Sequence, residues 1–284
     1  MTRTEQEYNY RLLKQRQVRD NLGYLAHIDY KGSQVSPHFQ VDPQVYPSVN
    51  VGGKVFYFDI DNTLYLQKFH INVQVQESII DFMINILHFN DREECRDILE
   101  EYCDKYGLSL IGFMKDYNVD PEEYNLLVDD TLQLNNILKP DKQLRHFLLT
   151  LKLDYKFDKL WLFTNSFKTH ALRCVKLLGI ADLFDGITYC DYYNLGDNIE
   201  NKHSIRCKPN IPIYEQLKLE SGLDDWEHAY FVDDNLHNLQ TAQQLGMKGC
   251  FHLVTPDTNI NFNTGKKSKD IITIDHLSDI LKNI

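Results

Sequence analysis

Two aspartates separated by one residue, Asp59 and Asp61, stand directly after the apolar run Val55-Phe56-Tyr57-Phe58. A carboxylate in such a place can act as a nucleophile, and a second one beside it can give and take a proton. Asp59 is the candidate nucleophile and Asp61 the candidate acid/base. Asp is also a favoured turn and helix-cap residue, so the pair alone decides nothing. Three further signals shift the balance. Trp161-Leu162-Phe163 runs into Thr164-Asn165-Ser166, Ala229-Tyr230-Phe231-Val232 runs into Asp233-Asp234-Asn235, and Lys208-Pro209 stands where a helix is expected to begin. Several apolar runs that each end in residues of complementary chemistry are poorly explained as caps.

The chemistry that uses the whole set is phosphoryl transfer with Mg2+. Asp59 would attack phosphorus and form an aspartyl-phosphate. Carboxylate against phosphate dianion is a repulsive encounter, and Mg2+ held by carboxylates offsets it. The candidate ligands are Asp59 and Asp233 or Asp234, with the backbone carbonyl of Asp61 as a third. Asp61 would protonate the leaving alkoxide and then activate water. Thr164 and the backbone N–H of Asn165 would hold phosphate oxygens. Lys208 would set a positive charge against Asp59 and the phosphate, reinforced by the helix N-terminus it opens. Taken alone, Lys208 reads as a solvated surface residue.

These residues need a scaffold that brings distant chain segments to one edge. Val55–Phe58 and the runs ending at Phe163 and Val232 look like strands buried on both faces. Helical patterns alternate with them: 141–151, 168–178, 208–219 and 235–245, with short strands at 186–190 and 250–254 and a terminal helix at 276–281. Alternation of this kind predicts an α/β fold, a Rossmann-like parallel sheet with helices on both faces, whose strand C-termini share one edge. Between the first strand and the rest, helical patterns at 73–89 and 92–106, a short element at 112–114, and the helix start Asp120-Pro121-Glu122-Glu123 form an all-helical insertion. The predicted division is an N-terminal extension over 1–52, a catalytic core over 53–67 and 139–284, and a helical cap over 68–138. Residues 3–25 read as a surface helix, and 30–53, 191–206 and 257–270 as loops.

The chain has 284 residues and a formal net charge of −11, which argues against nucleic acid as a partner. Its six cysteines are scattered without a Cys-x-x-Cys pair, as expected of reduced thiols in an intracellular protein. No apolar run approaches the ~20 residues that span a bilayer, and the N-terminus has no signal-peptide core. A cytoplasmic protein without stable membrane anchoring is expected, with access to the nucleus left open.

Taken together, the four motifs resemble those of the haloacid dehalogenase-like superfamily, whose phosphatases carry an Asp-x-Asp-x-Thr signature, here Asp59-Ile60-Asp61-Asn62-Thr63. The helical insertion resembles the superfamily's C1 cap. More narrowly, Phe58 to Tyr65, Trp161 to Asn165 and Leu177 to Ile187 are similar to the fungal pyrimidine 5′-nucleotidases and to paralogues described as nucleotide and lysophosphatidate phosphatases. Tyr106-Gly107-Leu108 and Val128 to Leu132 belong to the same resemblance. It implies a Mg2+-dependent phosphomonoesterase acting on nucleoside 5′-monophosphates, UMP or CMP foremost.

Other functions remain to be weighed. A dehalogenase needs neither the second Asp nor a metal, so Asp61 and the Asp233-Asp234 pair count against it. A phosphomutase shares the whole constellation. A non-catalytic phosphate sensor gains nothing from a nucleophile. Within the cap, the aromatic residues Tyr106, Phe113, Tyr117 and Tyr124, with Met114 and Lys115, could stack on a base, cover an acyl chain or simply fill a core. Arg206 and Lys168 are candidates for phosphate or ribose contacts.

Overall fold

A computed structural model describes residues 2–33, 46–190, 192, 206–255 and 270–284. Most of the expected 191–206 and 257–270 loops, and 34–45 of the first loop, lie outside the described residues.

Among the described residues, six strands form one parallel sheet: β1 (Val55–Phe58), β2 (Lys159–Thr164), β3 (Gly186–Tyr189), β4 (Ala229–Asp233), β5 (Gly249–Leu253) and β6 (Ile271–Ile274), in the order β3-β2-β1-β4-β5-β6. β1 is central, its four residues are all buried, and it pairs with β2 on one side and β4 on the other. The chain first winds outward through β2 and β3, then returns to lay β4 against β1. The strand order therefore reverses at β1, and the crevice beyond its C-terminal end is where an open α/β sheet builds its site.

Among the described residues, ten α-helices accompany the sheet: α1 (Arg3–His27), α2 (Ile71–Asn85), α3 (Arg92–Tyr106), α4 (Ser109–Tyr117), α5 (Pro121–Leu127), α6 (Leu134–Ile137), α7 (Lys142–Leu153), α8 (Lys168–Leu177), α9 (Ile211–Ser221) and α10 (Leu236–Gln244). Alternation along β1 sends Phe56 and Phe58 to one face, packed with Leu148 of α7 and Val175 of α8. Val55 and Tyr57 go to the other, packed with Leu217 of α9 and Leu239 of α10. Both faces are covered, as a parallel sheet requires.

Between β1 and β2 lie helices α2 to α6, whose middle part shares an apolar cluster centred on Phe82, Met83, Ile111 and Phe113 and joined by Tyr10, Cys190, Tyr192 and Cys207, while Ile71 of α2 and Leu134 of α6 pack in the main core. Their ends follow local chemistry. Asp91 and Asp120 accept backbone N–H bonds at the starts of α3 and α5, Pro121 takes the first turn of α5, and Gly107 closes α3 at φ 78°.

Five expectations are corrected. The segment 271–274, unassigned from sequence, is the edge strand β6, and the terminal helix is a 3-10 helix over Leu277–Lys282. The third element of the insertion is a full helix, α4. The helix after Lys208-Pro209 begins only at Ile211, so Lys208 precedes that helix instead of opening it. Lastly, α1 is more than a surface helix. Its Tyr10 joins the insertion's cluster while Tyr24 and Leu25 pack on the main core. α1 thus lies across both parts, and its Lys14 donates to Ser78 Oγ and Thr131 Oγ1 of the insertion at 3.4 and 3.3 Å. No helix among the described residues is long and apolar enough to cross a membrane.

Candidate active site

Asp59 is the first residue beyond β1, and its N–H still bonds Val232 O at 3.0 Å, which ties it to the end of β4. Its carboxylate is buried and held from two sides: Lys208 Nζ lies 2.7 Å from Oδ1, and Thr63 Oγ1 donates to Oδ2 at 3.0 Å. Lys208 Nζ also donates to Asp233 Oδ2 and Phe163 O, both at 2.8 Å. Three acceptors thus use all three ammonium protons. Burial works against the charge on Lys208, but Asp233 and Asp59 outweigh it and raise its pKa above the ordinary lysine value. Burial pushes the Asp59 carboxyl up to about 7, opposed by Lys208 and assisted by Asp233 and Asp61.

Asp233, at the end of β4, also accepts from Asn238 Nδ2 and from the backbone N–H of Asn235 at 2.8 Å. Asp234 is half-buried, and burial together with Asp59 and Asp233 raises its carboxyl well above the usual range. Asp59, Asp233 and Asp234 each bring one carboxylate oxygen within 4.8 Å of the others. Three carboxylates against the single ammonium of Lys208 leave two formal negative charges in one crevice. An all-oxygen set with that imbalance fits a hard divalent cation such as Mg2+.

Asp61 points elsewhere. Its carboxylate accepts from Tyr65 Oη, from Ser166 Oγ and, at 2.8 Å, from His170 Nε2. Burial acts to raise it, but His170, Ser166 and Tyr65 outweigh that and hold it well below the usual carboxylate range. Its carboxylate does not join the Asp59–Asp233–Asp234 cluster among the described residues. His170, on the first turn of α8, is buried. Burial opposes charge on its ring, yet Cys174 and Asp61 raise its pKa well above the ordinary histidine value.

At the end of β2, Thr164 Oγ1 accepts the Ser166 N–H at 3.0 Å. The Asn165 side chain pairs with the Lys208 backbone in both directions, Nδ2 to O at 2.9 Å and N to Oδ1 at 2.8 Å. Asn165 therefore fixes the Lys208 loop, which explains how a lysine outside any helix is held in place. A crevice of about 260 Å³ lies among Asp59, Asp61, Asn165, Lys208, Asp233 and Asp234.

Beside it, and sharing Asp61, Asn62 and Asn165 with it, a cavity of about 320 Å³ lies between the insertion and the core. Its walls include Val75, Leu99, Leu108, Tyr124, Phe167 and Tyr192, with Asp129 and His170 near Asp61. The aromatic rings expected to matter are placed differently. Phe113 is 0% exposed, packed against Tyr102 and Tyr124 inside the insertion, and does not line the cavity. Tyr106 lies between Lys105 and Lys115, and its neighbour Leu108 takes the wall position. Arg206 is exposed, and neither it nor Lys168 lines the cavity or the crevice. The residues that sequence reasoning missed are Tyr65, Asn238 and above all His170. The available signal for His170 was its place one helical turn beyond Ser166, on the helix that leaves a site-bearing strand end.

Comparison with known proteins identifies the family. Residues 54–246 match the family model described as haloacid dehalogenase-like hydrolase. The chain is 42% identical over 282 residues to Phosphate metabolism protein 8 of Saccharomyces cerevisiae, covering 97% of this chain and 83% of the yeast protein. Among solved structures, CbbY of Rhodobacter sphaeroides in complex with xylulose-(1,5)bisphosphate superposes with a TM-score of 0.52 at 16% identity, over 80% of this chain and 95% of that one. At that identity the likeness speaks for the fold. The family match spans the strand ends that carry Asp59, Thr164 and Asp233, and the chain belongs to the haloacid dehalogenase-like hydrolase family.

Proposed function

We propose that this protein is a Mg2+-dependent phosphomonoesterase that hydrolyses nucleoside 5′-monophosphates, pyrimidine ones foremost, through an aspartyl-phosphate at Asp59. The helical insertion, 68–138, acts as its cap. The observation that carries the substrate class is the cavity beside the carboxylates. Its walls are largely apolar, it carries the carboxylates Asp61 and Asp129, and among the described residues no Lys or Arg lines it. A leaving group that fits is uncharged and of small-ligand size, which suits a nucleoside better than a second phosphate or a carboxylate.

The residues divide the work as follows. Asp59 attacks phosphorus with a carboxylate oriented by Thr63 and Lys208. Lys208 spreads positive charge over Asp59 and the incoming phosphoryl oxygens. Asp61 passes to the departing 5′-oxygen a proton supplied by the His170 imidazolium, whose Nε2 lies 2.8 Å from Asp61 Oδ1. In the second half it takes a proton from the water that splits the acyl phosphate, which releases phosphate and restores Asp59. Asp59, Asp233 and Asp234 would hold Mg2+, which when bound neutralises phosphate charge. Thr164 and Asn165 shape the phosphate crevice, Thr164 through the Ser166 N–H and Asn165 through the Lys208 loop.

A second reading, a lysophosphatidate phosphatase, draws on the apolar walls Val75, Leu99 and Leu108, which could cover an acyl chain. A phosphate-release screen with Mg2+ over UMP, CMP, AMP, GMP, lysophosphatidate and sugar phosphates separates the two. Preference for UMP or CMP supports the proposal. Preference for lysophosphatidate replaces it with the second reading, and no release from any ester defeats both. Loss of activity in EDTA and its return with Mg2+ tests the metal.

A further inference from the structure

The cavity beside the carboxylates carries a polar atom that the reaction above does not use. Asn72 lies on the first turn of α2, half-buried, and lines the cavity wall. Its Oδ1 is buried without a hydrogen-bond partner. Leaving a buried acceptor unpaired costs free energy, and on a cavity wall a ligand can supply the missing donor.

Several other polar groups on the wall are already engaged. Tyr65 Oη and Ser166 Oγ donate to Asp61, Asn165 pairs with the Lys208 backbone, and Tyr192 Oη donates to Asn165 O at 3.1 Å. Asp129 Oδ1 and His170 Nδ1 face each other at 3.8 Å beside Asp61, at the reaction end. Asn72 shares its helix's part of the wall with the apolar Ile71, Val75 and Ile79. An amide with a free acceptor among apolar side chains suits a ligand with apolar faces and a polar edge, and a nucleobase is such a ligand.

A primary amide also suits both pyrimidines. Uracil presents a donor at N3 and an acceptor at O4. Cytosine presents an acceptor at N3 and a donor at N4. An amide holds an acceptor oxygen and a donor nitrogen side by side, and a half-turn of its terminal torsion exchanges them. One amide can therefore pair at two points with either base. A carboxylate only accepts, and it favours the cytosine N4 amino group.

We propose that Asn72 is a specificity-determining residue that reads the Watson–Crick edge of the base: its amide takes N3–H and O4 of uracil in one orientation, and N3 and the N4 amino group of cytosine in the other. The inference rests on the nucleoside monophosphate reading above. It assigns Asn72 no part in the phosphoryl chemistry, so substrates without a base should not sense the residue.

The test compares kcat/KM on UMP, CMP, 3-methyl-UMP and p-nitrophenyl phosphate. The methyl group of 3-methyl-UMP removes the donor from the edge, and p-nitrophenyl phosphate has no base. Wild type should prefer UMP to 3-methyl-UMP by about tenfold or more. Asn72→Leu is expected to lose about tenfold or more on UMP and CMP, and less than about threefold on the other two. Because Oδ1 has no partner to lose, the melting temperature of this variant should not fall. Asn72→Asp keeps the shape and loses the donor. It should raise the ratio of CMP to UMP turnover several-fold, whatever it does to both.

An unchanged rate on UMP in Asn72→Leu overturns the proposal, because water alone then satisfies the amide. An equal loss on UMP and p-nitrophenyl phosphate overturns it too, because the role is then structural. An unchanged CMP to UMP ratio in Asn72→Asp does the same, and that ratio decides if Asn72→Leu does not fold. All three outcomes leave the nucleotidase reading standing. A wild-type enzyme that releases phosphate from p-nitrophenyl phosphate but from neither UMP nor CMP defeats the nucleotide reading itself, and the role of Asn72 with it.

Discussion

Lys208 and Asp59 are 149 positions apart in the chain, and their side chains meet at 2.7 Å in a buried ion pair. The contact exists because β1 is the central strand and the chain after β3 returns across its C-terminal edge. Asn165 closes the geometry by holding the Lys208 backbone from the end of β2. One ammonium therefore touches the ends of three neighbouring strands, at Asp59, Phe163 and Asp233.

Lys208→Ala should be both inactive and unstable. Removing the ammonium leaves Asp59 and Asp233 buried without their shared counter-charge. Breaking a buried pair from one side costs about 3–5 kcal/mol. Urea unfolding followed by circular dichroism should show a lower midpoint, and a midpoint equal to wild type would refute the structural role assigned to the pair.

Asp59→Asn should behave oppositely in stability. The amide is a poor nucleophile, so hydrolysis should fall by at least about a thousandfold. The amide also removes one charge from a crowded acidic crevice, so the melting temperature should not drop and is expected to rise. Phosphate release near the wild-type rate would sink the assignment of Asp59.

The metal should stabilise most where Asp59 is ionised. Its carboxyl is raised from 3.8 to about 7 by burial, so the folded state holds that proton more firmly than the unfolded chain. Between about pH 4 and pH 7 the folded protein then binds more protons than the unfolded one, and without metal this group's contribution to stability falls as pH rises. Bound Mg2+ would favour the carboxylate and counter the loss. The Mg2+-induced rise in melting temperature should be larger at about pH 7.5 than at about pH 5. A shift independent of pH would separate the metal from Asp59.

Much of the scaffold was legible because it rests on short-range signals. The apolar runs that became β1, β2 and β4 are continuous and stop abruptly, and the caps at Gly107 and Asp120 act within one turn. β6 escaped because four residues at a sheet edge carry too little pattern. The strand-end residues of the site were readable for the same reason as the strands. His170 was not, since its importance depends on which face of α8 looks at Asp61, and only packing decides that. Phe113 shows the converse. The insertion's aromatic content is visible in the sequence, but whether a given ring faces the cavity or its own core is a tertiary fact.

That distinction gives the last prediction. Phe113→Ala removes a fully buried ring packed against Tyr102 and Tyr124, so it should destabilise the protein by about 3–5 kcal/mol. Any activity lost should be lost in parallel on UMP and p-nitrophenyl phosphate, because it follows the folded fraction. Leu108→Ala and Phe167→Ala alter cavity walls instead. They should change kcat/KM for UMP relative to CMP or AMP by several-fold while changing p-nitrophenyl phosphate turnover less. Leu108 is half-buried and sits at the N-terminal end of α4, so trimming it need not open the insertion's interior. Selectivity that moved with Phe113 and stayed fixed with Leu108 and Phe167 would place substrate choice in the shape of the whole insertion rather than in the cavity wall.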